Sequence, residues 1–176
     1  MSNKQEILMG LCIATLALQL TAISTDHWSV KKKNGSDPNL NIGLWKACGK
    51  DVDSSIPKVN INESLCVHLP MDGWKSFPKN SLEAVRAFAI LGSVLVFMSL
   101  MCMMYMKSYK RCQLVCLVAG GLCSLIAEGI WVAELTKLKP ADNKPAVKFD
   151  LGYSYYLNMG GGLLALVCAW YYNYGK

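Results

Sequence analysis

The residues most able to do chemistry crowd one polar stretch: Trp28, then Gly43-Leu44-Trp45, then Cys48 and Cys66. Cys48 and Cys66 are the only cysteines of the eight in that stretch. A disulfide between them is therefore the first chemistry to expect, and with it an oxidising compartment. A polar segment holding two tryptophans, a glycine turn and a cysteine pair is expected to fold as a unit. The other reactive groups form no set. His27 and His68 are distant and share no carboxylate, so they do not make a zinc site. No nucleophile, base and orienting group can be assembled around them. The chain is not expected to be an enzyme, or to hold a metal or cofactor.

The elements that must position this array are hydrophobic. Four apolar stretches run over 7–25, 82–106, 112–135 and 151–172. Each approaches the roughly 20 residues that a membrane-crossing helix needs. The first could instead be a signal peptide, but it lacks a strongly basic leader and a clean small-x-small cleavage site before Trp28. The expected organisation is a single tetraspan domain over 1–176, with a long loop at 27–81, a short turn at 107–111 and a second loop at 136–150. The partner common to all readings is the lipid bilayer, and no nucleic acid is expected.

Two topology signals conflict. The turn Lys107-Ser-Tyr-Lys-Arg111 reads as cytoplasmic under the positive-inside rule, with Lys4 and Lys176 in agreement. Yet the long loop carries Lys31, Lys32, Lys33, Lys46, Lys50, Lys58, Lys75 and Lys79. The cysteine pair and two glycosylation sequons, Asn34-Gly-Ser36 and Asn62-Glu-Ser64, point the other way. Long loops also translocate with less regard to charge. Both termini are thus expected in the cytoplasm and the long loop outside a plasma membrane. Of the remaining cysteines, Cys12, Cys102, Cys116, Cys123 and Cys168 read as small packing residues. Cys112, beside the basic turn, is a palmitoylation candidate.

Within the long loop, Trp28 to Val30 reads as extended, Lys31 to Asn41 as a turn, and Asn41 to Cys48 as a strand. Gly49 to Pro57 is turn-like, and Val59 to Leu69 alternates as a second strand. A Cys48–Cys66 bond would join the two strands and stabilise them by about 3 kcal/mol in the chain-entropy model. Trp28 reads chiefly as an interfacial anchor. Trp45, placed between a glycine turn and a cysteine, is the better candidate for packing beneath the strands.

Trp28, Gly43-Leu44-Trp45-x-x-Cys48 and Cys66 in the first loop of a four-helix protein resemble the signature of the claudin superfamily. That group includes claudins, peripheral myelin and epithelial membrane proteins, the lens fibre intrinsic protein and calcium-channel gamma subunits. Arg86 in Ala84-Val-Arg-Ala-Phe88 resembles the arginine near the outer end of the family's second helix. Ala119-Gly-Gly-Leu122 and Leu151-Gly-Tyr-Ser-Tyr-Tyr-Leu157 resemble the starts of its third and fourth. The resemblance implies a left-handed four-helix bundle bearing a small antiparallel extracellular β-sheet, with Cys48 and Cys66 disulfide-bonded. The Cys48-to-Cys66 interval is longer than is usual for claudins. The end at Tyr174-Gly-Lys176 is a poor ligand for a PDZ scaffold, which captures a terminal carboxylate beside a hydrophobic residue.

Arg86 sits about a turn inside the second apolar stretch, and Glu128 lies within the third, nearer its outer end. Such groups usually face the bundle and pair, so an Arg86–Glu128 ion pair is expected, with Asp26 as a competing partner for Arg86. Gly120, Gly121, Ser124 and Gly129, and the run Gly160 to Gly162, would permit close helix contacts. The resemblance implies a non-enzymatic role at cell–cell contacts, in adhesion, a junction or a paracellular barrier. Partners would be the protein itself or other tetraspans. The alternatives are an accessory subunit of a channel or transporter and a structural protein of compacted membranes. Specificity would reside in the turns at 31–41, 49–61 and 71–78.

Overall fold

The structure, a computed structural model, describes residues 3–32, 38–49, 65–69, 79–105, 110–137 and 149–174. Its elements in chain order are α1 (Asn3–Ser24), β1 (Ser29–Lys32), β2 (Pro38–Ile42), β3 (Lys46–Gly49), β4 (Leu65–His68), α2 (Lys79–Tyr105), α3 (Lys110–Lys137), β5 (Phe149–Leu151) and α4 (Tyr153–Tyr174). The helices form a circuit: α1 packs on α2 and α4, and α3 packs on α2 and α4, while α2 and α4 barely touch. The five strands form one antiparallel sheet in the order β4-β3-β2-β1-β5.

Among the described residues, three helices are long and apolar enough to cross a membrane: α1 over Gln5–Ser24, α2 over Lys79–Tyr105 and α3 over Lys110–Thr136. The fourth falls short in hydropathy, not in length. Its ends are rich in Tyr and Trp, and its middle holds Asn158 and Gly160 to Gly162. Its 22 residues still extend about 33 Å at a helical rise of 1.5 Å per residue, enough for a hydrocarbon core of about 30 Å.

The bundle is apolar outside and polar within. Ile7, Ile13, Leu20, Ile90, Val94, Phe97, Val115, Leu122, Ile126, Leu163 and Val167 are exposed, whereas Thr15, Gln19, Ser99, Ser124 and Asn158 are fully buried. Water would penalise that distribution, and lipid favours it. Glycines let the backbones approach. A Cβ at Gly92 would stand 3.0 Å from the Gly120 carbonyl oxygen, and one at Gly121 would stand 2.8 Å from that of Gly162. These contacts bring α3 against α2 and α4. Gly129 and Gly160, two of the expected contact glycines, face open space. Two apolar clusters fill the interior. One, around Trp28, Leu44, Val85 and Trp131, lies at the sheet end. The other, around Leu8, Cys12, Leu117 and Cys168, lies farther along the same helices.

The sheet departs from the sequence-based expectation in three places. Asn41 to Cys48 is not one strand but two, folded back on each other with Asn41 opposite Cys48. The turn is the Gly43-Leu44-Trp45 motif itself, closed by the Gly43 N–H donating to the Lys46 carbonyl at 2.9 Å. Pro38 to Asn41, expected as a turn, is strand β2. The third departure is β5, a strand of three residues where only loop and helix were expected. Residues 59–64 of the expected second strand lie outside the described residues, and its remainder is β4.

Candidate functional site

The sheet sits on the helix ends, and the motif residues make the joint. Chain geometry begins it: α1 runs almost directly into β1, and β5 runs through Gly152 into α4. The Gly152 N–H donates to the Trp28 carbonyl at 3.0 Å, and the Ser154 N–H to the His27 carbonyl at 3.2 Å. A Cβ on Gly152 would collide with the His27 carbonyl oxygen, so only glycine permits this approach. Gly43 is confined in the same way, with its Cβ position 2.5 Å from the Asp26 Cα.

Trp28 is wholly buried beneath the sheet. Its Nε1–H donates to the Ala22 carbonyl at 2.8 Å, and its ring meets Trp131 edge-on at 5.4 Å between centroids. The Trp131 Nε1–H donates to the Ser29 hydroxyl at 3.0 Å, fixing α3 to β1. Trp45 is 38% exposed and donates from Nε1 to the Ile23 carbonyl at 2.8 Å. The two expected roles are therefore exchanged. Trp28 is the core residue, because it leaves α1 pointing under the strand; Trp45 lies at a hairpin tip, where one face stays open.

Arg86 lies beneath that hairpin tip. Its Nε donates to the Leu44 carbonyl at 2.8 Å and its Nη2 to the Leu69 carbonyl at 2.9 Å. Its guanidinium lies over the Trp45 ring, 4.9 Å from the centroid, a cation–π contact. The expected ion pair with Glu128 is thus not formed. The guanidinium fork matches two carbonyls left free by the turn and by the end of β4, and Glu128 instead accepts from Asn158. Nor does Asp26 reach Arg86. Its carboxylate lies 2.8 Å from His27 Nδ1 and 3.8 Å from Lys46 Nζ.

Cys48 and Cys66 face each other across β3 and β4 and are bonded, with Cα atoms 4.1 Å apart. Asp26 lies beside them, its carboxylate within 4.8 Å of the sulfurs. Sulfurs bonded to each other offer no thiolate, so this trio is no metal centre as it stands. His27 stacks on Tyr153 at 4.7 Å, with Asn41 Nδ2 3.1 Å from its Nε2. His68 is exposed on β4 opposite Lys46, so the two histidines belong to different surroundings. Cys112 is exposed in the first turn of α3. Asn34 and Asn62 lie outside the described residues, as do 33–37, 50–61 and 71–78 of the stretches expected to carry specificity.

The sequence reading missed Trp131, whose signal was a lone tryptophan two turns from the end of an apolar helix. It also missed Ser154, whose hydroxyl lies 2.7 Å from that of Thr25. Both join a helix to the α1–β1 corner. No individual characterised protein matches the chain closely enough to make its likeness more specific. A model of the PMP-22/EMP/MP20/Claudin family matches residues 6–171, and the chain belongs to that family of membrane proteins.

Proposed function

We propose that this protein acts at cell–cell contacts, presenting its sheet outside the plasma membrane to copies of itself or to other tetraspans. The observation that carries the reading is the joint. Trp28, Arg86 and Trp131 fix three helices to the sheet by hydrogen bonds of 2.8–3.0 Å. A loop with no load to bear needs no such fixing; a surface that must hold a partner's position does. The disulfide and the two sequons support the outward placement, with both termini cytoplasmic. Cys112 is the acylation site of this reading.

The long loop has more lysines than acids. A paracellular path lined by it would concentrate anions. Freeze-fracture of cells expressing only this protein tests the main reading, with continuous strands expected at contacts. Copurification with a channel, and no strands, would replace it with an accessory-subunit role. Dilution potentials across a monolayer test the charge argument: chloride is expected to pass more readily than sodium, and a sodium preference would overturn it.

A further inference from the structure

Between the two apolar clusters lies a polar layer that the sheet does not use. The Gln19 Nε2 donates to the Ser124 hydroxyl at 2.8 Å, and that hydroxyl donates to the Gly120 carbonyl at 3.3 Å. The Asn158 Nδ2 lies 3.0 Å from Glu128 Oε1 and 3.4 Å from the Ser124 carbonyl. Gln19, Ser124 and Asn158 are fully buried and Glu128 is 3% exposed. Three helices thus converge on one turn of α3 with four polar side chains.

Each amide nitrogen of this layer has an acceptor, and two carbonyl oxygens are left over. Gln19 Oε1 and Asn158 Oδ1 are buried and meet no protein donor. The Asn158 amide has little freedom to turn over, because reversal would set its oxygen against the Glu128 carboxylate. No basic side chain among the described residues pairs with Glu128. Both amides meet Ser124 through their nitrogens, so two carbonyl oxygens remain unpartnered in a layer whose one carboxylate has no cation. Water could donate to the carbonyls but would leave the carboxyl either uncompensated or protonated in a low-dielectric interior.

We propose that this layer is a binding site for one small monovalent cation of sodium size, held by Glu128, Gln19 Oε1 and Asn158 Oδ1. Oxygen-only ligands suit a hard cation. One carboxylate matches one positive charge; a divalent ion would leave a net charge inside the bilayer. The site is enclosed by the glycine contacts, since a Cβ on Gly161 would lie 2.8 Å from Gln19 Cγ. It stabilises the association of α1, α3 and α4 and forms no pathway across the membrane.

The test uses the full chain in zwitterionic nanodiscs. Thermal unfolding is followed by tryptophan fluorescence while sodium chloride replaces N-methyl-D-glucamine chloride at constant ionic strength. The Tm is expected to rise with sodium, by about 3–5 °C for each tenfold increase beyond half-saturation. Glu128→Gln, which retains an acceptor and removes the charge, is expected to abolish that dependence. An unchanged Tm across the wild-type series would overturn the proposal, leaving water or a proton as the occupant. A sodium response of equal size in Glu128→Gln would also overturn it. Equilibrium binding of radioactive sodium to the wild-type protein gives a readout independent of whether the variant folds: one ion per chain is expected, and none overturns the site.

Discussion

Arg86 shows what a single side chain does here and what its letter conceals. A charge inside an apolar stretch was plainly legible, and so was its need for a partner. Coulomb reasoning supplies an acid within the neighbouring apolar helix, Glu128. The structure supplies two backbone carbonyls, at Leu44 and Leu69. Those acceptors exist only once the hairpin has turned, so no residue type announces them. Arg86→Lys is expected to destabilise the protein by about 2–3 kcal/mol, because one ammonium cannot reproduce a fork with two charge-assisted bonds. A lowered Tm in detergent, with reduced surface expression, would report it; wild-type values for both would contradict the assignment. The tryptophans teach the same point. Their presence marks the family, but burial follows from direction of exit: Trp28 goes under β1, and Trp45 caps a tip.

The helices were legible as elements because twenty apolar residues have few other uses. All four were read as spans, although the Tyr, Asn and Gly content of α4 makes it less apolar than the other three. The strands were harder. Four- and five-residue strands carry too few alternations to separate from turns, and β5 has three residues. Its place beside β1 is set by tertiary contact through Gly152. Gly152→Val is expected to undock the sheet from α4, read as faster proteolysis of the segment before Tyr153 at unchanged helicity. Cys48→Ser is expected to cost the sheet about 3 kcal/mol for a closed loop of this size. Loss of the mobility difference between reduced and unreduced gels, with a lower Tm, would report it.

On the scale of the whole molecule, the inside-out distribution of polarity makes the bundle a membrane object. It was half legible. Hydropathy reveals that the outside is apolar, but Gln19, Ser124 and Asn158 are scattered in sequence, and only packing makes them one layer. The proposed orientation has a direct check. Glycosidase treatment is expected to shift the mobility of the protein, and Asn62→Gln is expected to remove most of that shift. An amino-terminal epitope should be stained only after permeabilisation, and staining of intact cells would reverse the topology. Replacing Cys112 with Ser is expected to remove most hydroxylamine-sensitive acyl label.

The position of the disulfide has one more consequence. It joins β3 to β4, and among the described residues β4 is an outer edge of the sheet. Uncovered edge strands invite copies of a protein to trade segments, since the same hydrogen-bond ladder forms within a chain or between chains. Here a trade of β4 would require Cys66 to leave its own Cys48 and bond to another molecule's. Neighbours that keep this bond must therefore meet with β3 and β4 already paired. A pair interlocked through β4 would betray itself as a species that only a reductant can separate.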